Sequence, residues 1–498
     1  MLKKLWSETL IYGLSTVLGR MIYFLLNRLH TDVFGKADVG ILVSTYALIG
    51  FCLVLFTYRM EAAYFRYATD KEYIDQKVLN TSISSISLST ILFSLLFFML
   101  ILWFGSFYGL ESRPEVLWLA LIIIALDTLS EIPFAYLRLH GKAKLYSVLK
   151  ILNIFLLIFF NVLFLWILPK YIQSLPEGLM STLIHTIYSP KHGILYVLIA
   201  NIIGSLVVLL LALKKLPKIE WEIDYELLKK MWSYSWPLVI VSFSYIINEM
   251  FDRLFMVKLL PGTMSENQEM TAIYGSCYRL TIFINLFTMA YRLGAEPFFL
   301  KTRNEANAPA LYARATLYFT IFACTGFLFT VLFTPQLKSL VFNSSYDSGL
   351  IIVPIVTLAN VFNGLYYNLS IWYRTTDNTR LGIYFSLFGA ITTIVLNVLF
   401  IPHYGYIAAA WTTLICYFLM CVLVYYAGKK YIKIPYNWRK INGIFTLSIF
   451  LVLINKYIGQ EFILIPIFLF ILYGLFIYFL EKETILSLKS QVLSRFKR

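Results

Sequence analysis

Nine charged residues interrupt stretches of sequence that are otherwise apolar: Arg20, Asp127, Glu131, Glu249, Asp252, Arg253, Arg279, Arg292 and Glu296. Arginine keeps its charge in any surroundings and can fork onto two phosphate oxygens. Arg20, Arg253, Arg279 and Arg292 are therefore candidate ligands for a phosphate-bearing substrate. A purely structural role stands beside this one. Glu249 and Arg253 are four residues apart, as are Arg292 and Glu296, so each arginine can neutralise a partner on its own helix. Arg20 and Arg279 have no opposite charge three or four residues away. Asp127 and Glu131 are also four apart and share a helix face. Two neighbouring carboxylates hold a proton or a cation between them more readily than either alone. They are candidates for coupling to a proton or Na+, together with Glu249 and Asp252. Neutralisation by an arginine of another helix is the alternative. Other chemistry is missing from the sequence. There is no P-loop, GxGxxG or HExxH, the five histidines are scattered, and the five cysteines lie in apolar runs without a CxxC. The sequence therefore points to no catalytic residue, metal or cofactor, and gives no support to an ATP-driven pump or metalloenzyme.

The elements that must position these residues follow from composition. Of 498 residues 59% are hydrophobic and only 14% charged, with a mean hydropathy of +0.74. A soluble fold would expose too much of that apolar surface. The fold class is an all-α polytopic membrane protein. About 20 apolar residues make one helical crossing, which places fourteen spans near 7–29, 38–59, 77–105, 114–138, 144–168, 193–214, 232–258, 270–299, 311–334, 348–373, 379–401, 405–428, 440–457 and 460–480. Pro402 and Gly405 mark the turn between the eleventh and twelfth. Pro237 and Pro354 are expected to kink the seventh and tenth. A charge at membrane depth is costly and marks a functional site by default. At 1.5 Å per residue, Glu249 and Arg279 both lie roughly 10 residues below the 259–269 loop, at similar depth in the outer half. Arg20 lies in the outer half as well, so these arginines and acids are candidates for one cavity.

Charge also sets the orientation. With the N-terminus in the cytoplasm, 30 of the 42 Lys and Arg fall in cytoplasmic segments, 8 on the other side and four within spans. The bias holds at every turn, as the positive-inside rule requires. Both termini are then cytoplasmic, and the net charge of +15 is a topology signal with no nucleic acid as partner. The tail 481–498 alternates apolar and basic residues and suits the anionic cytoplasmic leaflet. No loop is long enough to be a soluble domain; the longest outward segment is 169–192.

The spans repeat. The run Asn-Val-Leu-Phe at 161–164 recurs at 397–400, an offset of 236, at which Arg138 also matches Arg374, Lys144 matches Arg380, and Leu145 matches Leu381. Ser44, Tyr46 and Leu48 match Ser276, Tyr278 and Leu280 at offset 232. The offset equals six spans, an even number, so the copies enter from the same side and form a parallel repeat. The expected organisation is an N-lobe of six helices over 1–215, a C-lobe of six over 216–430, two further helices over 431–480 and the tail 481–498. Substrate would sit between lobes that rock in alternating access.

Four stretches carry a family resemblance. Residues 12–48, YGLSTVLGRMIYFLLNRLHTDVFGKADVGILVSTYAL, resemble the opening of the polysaccharide flippases (Wzx-like) of the MOP (multidrug/oligosaccharidyl-lipid/polysaccharide) exporter superfamily. WSYSWPLVIVSFSYIINEMFDRLFMVKLL, 232–260, is similar to the start of that family's second lobe, and AIYGSCYRLTIFINLFTMAYRLGAEPFF, 272–299, to the helix that follows. NVLFIPHYGYIAAAW, 397–411, resembles the family's N-x-x-L-I-P-x-x-G-x-x-G-A-A turn, with Ala408 where a glycine is usual. The resemblance implies a fourteen-helix, two-lobe flippase in the bacterial inner (cytoplasmic) membrane. It would move undecaprenyl-diphosphate-linked oligosaccharide for O-antigen- or capsule-type polysaccharide biosynthesis, alongside glycosyltransferases and a polymerase. Membrane lipids and a coupling proton or Na+ are the other implied partners. A lipid II-type flippase, a MATE-type drug/cation antiporter and a membrane sugar polymerase remain alternatives. Twelve spans are usual for the antiporter, and the 169–192 loop offers little to a polymerase.

Overall fold

The computed structural model describes residues 24–111, 113–174, 188–189, 192–376, 378, 380–458 and 464–482. Arg20, most of the first span, most of the 169–192 loop and the tail from 483 lie outside the described residues, and of Glu296 only the backbone is described. Among the described residues every regular element is helical. The chain runs from α1 (24–33) through α2 (Lys36–Thr57), α3 (Met60–Ala68), α4 (Asp75–Tyr108), α5 (Glu115–Leu139), α6 (Ala143–Ser174, with a π turn at Leu163–Ile167) and α7 (Gly193–Leu213). It continues through α8 (Tyr225–Leu259), α9 (Met264–Tyr278), α10 (Ile282–Thr302), α11 (Ala308–Leu332), α12 (Thr334–Lys338), α13 (Val353–Leu369) and α14 (Ile371–Thr375). The last three are α15 (Leu381–Gly428), α16 (Trp438–Ile458) and α17 (Leu464–Leu480).

Nine helical stretches among the described residues are long and apolar enough to cross a membrane. One of them, α15, has 48 residues, more than twice the length one crossing needs. It is broken at Gly405, whose φ of 64° and ψ of −151° are open to glycine and strained for any other residue. The turn expected at 401–405 is this break, with Pro402 just ahead of it. α8 and the α9–α10 pair also have spanning length but carry the charges singled out above. With α1 and the 17-residue α17, each of the fourteen expected spans has a helix on it.

Three local details refine the sequence expectation. Pro354 stands in the first turn of α13, just after the 3-10 helix over Ser344–Ile352 with which the tenth span starts. Pro237 lies inside α8, whose helix runs on to either side of it. The second span ends in two consecutive left-handed residues, Tyr58 (φ 34°) and Arg59 (φ 57°), after which α3 resumes. Neither is a glycine, and such conformations cost about 1–3 kcal/mol each.

The chain divides into two compact units. Unit 1 holds Met1–Ser276, Val341–Tyr346 and Ser386–Thr412; unit 2 holds Cys277–Leu340, Asp347–Phe385 and Thr413–Arg498. In unit 1, α7 packs on α5 and α6, and α2 packs on α5 and α8. Ile41, Leu48, Val116, Ile123 and Leu198 form part of its dry core. The loop at 341–343 belongs here because it is tied to α1: Asn27 donates to the Val341 carbonyl (2.8 Å), Arg28 to Phe342 (2.7 Å), and Asn343 back to Thr31 (2.6 Å). In unit 2, α11 is central, flanked by α10, α13, α16 and α17. The last helix is held by Tyr473, which donates to the Ile321 carbonyl (3.1 Å), and by the Lys440–Glu481 ion pair (2.5 Å).

Asp224 shows how a helix entry is fixed. It caps α8 by accepting the Leu227 N–H (3.0 Å) and pairs with Lys77 of α4 (2.5 Å). The Leu227 N–H and then Lys77 hold its carboxyl below the usual range. A depressed carboxyl stabilises the fold above its unfolded pKa, about 4, and that contribution is lost as pH falls through the folded value. Asp224→Ala is therefore expected to lower the melting temperature modestly at pH 7 in detergent. The gap to the unmutated protein should close as the pH is taken below about 4.

Candidate functional site: polar clusters within the spans

α8 presents Asp252 to the interior of unit 1, where it is 2% exposed. Its carboxylate accepts the hydroxyl of Tyr274 on α9. It also accepts the backbone N–H of Arg253 (2.8 Å) and pairs with the Arg253 guanidinium (3.3 Å). The guanidinium donates to the Glu249 backbone carbonyl one turn earlier and lies 5.7 Å from the Tyr274 ring centre. Asp252, Arg253 and the Glu249 backbone carbonyl are thus joined in one group. Tyr274 gave no signal, since a tyrosine in an apolar run is ordinary. One turn up α8, Asn248 accepts the Thr393 hydroxyl (2.8 Å), which joins α8 to the segment before Gly405.

A second cluster joins α2, α5, α6 and α7 in unit 1. Ser205 donates to Asp127 (2.7 Å) and lies 3.4 Å from Asn201 Oδ1, and Asn201 reaches the Tyr46 hydroxyl at 3.4 Å. Lys150 of α6 and Glu131 both act electrostatically on Asp127. The paired carboxylates are therefore electrostatic neighbours, as their spacing implies. A cation from another helix also faces Asp127, and it is a lysine where an arginine was considered. The structure turns Lys150 toward Phe134, with its Nζ 4.1 Å from the ring centre.

The left-handed break at Tyr58–Arg59 builds a third group. Arg59 pairs with Glu61 (2.8 Å), and Glu131 and Arg138 both act on Glu61 as well. Glu61 is 9% exposed, and its Oε2 is buried without a hydrogen-bond partner. Arg138 stacks over Phe65 at 4.8 Å.

Unit 2 holds the other two candidate arginines. Arg279 opens the short 3-10 turn Arg279–Thr281 between α9 and α10 and is half-buried. Arg292, in mid-α10, lies 4.9 Å from the Tyr367 ring centre and 3.5 Å from Asn363 Oδ1. On the same pair of helices Tyr291 donates to Asn368. Among the described residues no group of three or more His, Cys, Asp and Glu is placed to hold a metal ion. The clusters offer fixed cations, carboxylates and hydroxyls within an apolar bundle.

The sequence matches the polysaccharide biosynthesis protein family over residues 5–295, more than half of the chain. An uncharacterised membrane protein of Methanocaldococcus jannaschii is 24% identical over 203 residues, 40% of this chain and 46% of its own length. The chain thus spans under half of that relative. Among solved structures, the lipid II flippase MurJ in an inward closed conformation has a TM-score of 0.70 at 18% identity, covering 96% of this chain and 100% of MurJ. An inward-facing multidrug resistance MATE family transporter of the MOP superfamily has a TM-score of 0.63 at 12% identity, covering 86% of this chain and 96% of its own. An outward-facing MATE transporter reaches 0.55 at 14%, covering 88% and 96%. At such identities the likeness is one of fold.

Proposed function

The chain belongs to the polysaccharide biosynthesis protein family, and from that premise we propose that it flips undecaprenyl-diphosphate-linked oligosaccharide from the cytoplasmic to the outer leaflet. The observation that carries this reading is the family match, on a fold shared with membrane transporters. Mid-span cations in both units support it: Arg253 in unit 1, Arg279 and Arg292 in unit 2. A diphosphate needs such cations, because an anion leaving water must exchange its hydration for fixed charge. The two helices beyond the twelfth span also support it over a twelve-span antiporter: the MATE folds leave more of this chain uncovered than MurJ does.

In this reading the six-helix lobes rock about the cargo, Arg20, Arg253, Arg279 and Arg292 take the diphosphate, and Asp127, Glu131, Glu249 and Asp252 serve a coupling proton or Na+. The protein lies in the bacterial inner membrane with both termini cytoplasmic. It receives its lipid from glycosyltransferases and delivers it to a polymerase. The test is translocation of a lipid-linked oligosaccharide in reconstituted vesicles by Arg279→Lys and Arg279→Ala proteins. The lysine variant is expected to keep part of the activity and the alanine variant to lose most of it. Full activity in both would sink the cationic site.

A further inference from the structure

In unit 1, α5 carries its charges on one face. Asp127, Glu131, Phe134 and Arg138 follow at spacings of four, three and four residues, which is one stripe of a helix. α6 meets this stripe with a cation. Its Ser147, Leu157 and Asn161 are buried, and Lys150 stands at helical spacing from them on the same face. The Lys150 Nζ lies 4.1 Å from the Phe134 ring centre and 6.0 Å from that of Tyr146. Those two rings meet edge to face at 5.3 Å. The ammonium is thus bracketed by aromatic rings on the face that bears both carboxylates. On the proposed topology Glu131 and Lys150 each lie about two turns from the cytoplasmic end of their helix.

The charges around this stripe balance. Lys150 and Glu131 act on Asp127, and Arg59, Glu131 and Arg138 act on Glu61. Asp127, Glu131 and Glu61 supply three negative charges; Lys150, Arg138 and Arg59 supply three positive ones. α7 adds Ser205 and Asn201, and α2 adds Tyr46. Asp75 of α4 acts on Tyr136, farther along α5, and pairs with His140 (2.9 Å). The internal repeat supplies an independent comparison. At offset 236 Asp127 corresponds to Asn363, Glu131 to Tyr367 and Lys150 to Ser386. The second copy lacks the two acids and the lysine together, as expected of groups that compensate one another.

We infer that Lys150 is the resident cation of the Asp127–Glu131 pair and decides which external cation the pair accepts: a proton, and not Na+. Its tether gives the ammonium a high effective concentration beside the carboxylates. A second full cation in the same low-dielectric place is repelled. A hard metal cation also needs a shell of several oxygens around it, whereas a proton neutralises a carboxylate through one lone pair. The balanced set keeps an oxygen open to a proton, since Glu61 Oε2 is buried without a hydrogen-bond partner. The inference rests on the proposed function only for the pair's part in coupling. The exclusion of Na+ stands on the charges alone.

The experiment uses the full-length purified protein in detergent, with Na+ exchanged for choline at constant ionic strength. The quantity read is the part of any Na+-dependent rise in melting temperature that Asp127→Asn removes; the amide still accepts from Ser205. The unmutated protein is expected to show none. Lys150→Gln is expected to bind Na+ about tenfold or more tightly than the unmutated protein, seen as a melting temperature that rises with Na+ and saturates. Lys150→Arg keeps the charge and should show no such rise. Lys150→Gln/Asp127→Asn should lose it, which places the ion at the pair. A folded Lys150→Gln protein without the rise overturns the inference. So does a rise in the unmutated protein that Asp127→Asn removes, and this comparison needs no lysine variant, so the test holds where Lys150→Gln fails to fold. Vesicle translocation of a lipid-linked oligosaccharide then tests the proton. The rate of the unmutated protein should respond to an imposed pH gradient, and Asp127→Asn/Glu131→Gln should lose that response. A response kept by this double variant overturns the proton assignment. Absence of translocation by the unmutated protein removes the flippase reading and leaves the Na+ result standing, because binding is read without cargo.

Discussion

Asp252→Ala is expected to destabilise the purified protein by about 3–5 kcal/mol, the cost of removing one partner from a buried ion pair. The carboxylate is 2% exposed and accepts the Tyr274 hydroxyl, the Arg253 N–H and the Arg253 guanidinium. Its loss leaves a guanidinium in the bundle without its adjacent counter-charge and strands the hydroxyl on α9. Asp252→Asn should fall between, since an amide can still accept from Tyr274 but carries no charge. The double variant Asp252→Ala/Arg253→Ala should recover much of the loss, because the orphaned cation goes with its partner. Thermal melting in detergent across the three variants checks this. Equal melting of Asp252→Ala and the double variant would show that removing the orphaned cation recovers nothing.

Gly40→Ala is expected to have a comparable effect through packing alone. A Cβ at Gly40 would lie 1.9 Å from the Gln268 carbonyl oxygen and 2.5 Å from its carbon. Both atoms are backbone of α9, so no rotamer relieves the clash, and α2 and α9 must part. Ordinary overpacking costs about 1–3 kcal/mol, and a forced separation of two backbones belongs at or above the top of that range. Gly35→Ala is the control: a Cβ there meets nothing within 4 Å. Folded yield and melting temperature should fall sharply for the first and little for the second. Matching curves would mean that α2 and α9 do not approach this closely.

Much of the bundle was legible because a membrane span is a coarse object. It needs length, apolar content and flanking charge, and these three placed helices on all fourteen stretches. What stayed hidden was local. Tyr58 and Arg59 look like an ordinary helix end, and nothing in their side chains announces two left-handed residues. The 3-10 start of the tenth span leaves no hydrophobic signature of its own. The charged residues at membrane depth were visible individually. The sequence offered Glu249 as the partner of Arg253, and the structure adds Asp252. The hydroxyls that bond Asp252, Asp127 and Asn248 gave no signal: Tyr274, Ser205 and Thr393 are common in apolar helices and informative only once a neighbouring helix is in place. What Lys150 faces depends on its rotation about α6, which its place along the chain does not show.

The five cysteines, Cys52, Cys277, Cys324, Cys416 and Cys421, are all buried and free. A membrane-impermeant thiol reagent therefore finds little to attack on the native protein, although no disulfide protects it. A single cysteine introduced at an exposed position such as Lys71, in the segment between α3 and α4, would be the dominant reactive thiol without prior removal of the native five. The packing of the bundle thus provides a quiet chemical background, on which the sidedness of each loop can be read one residue at a time.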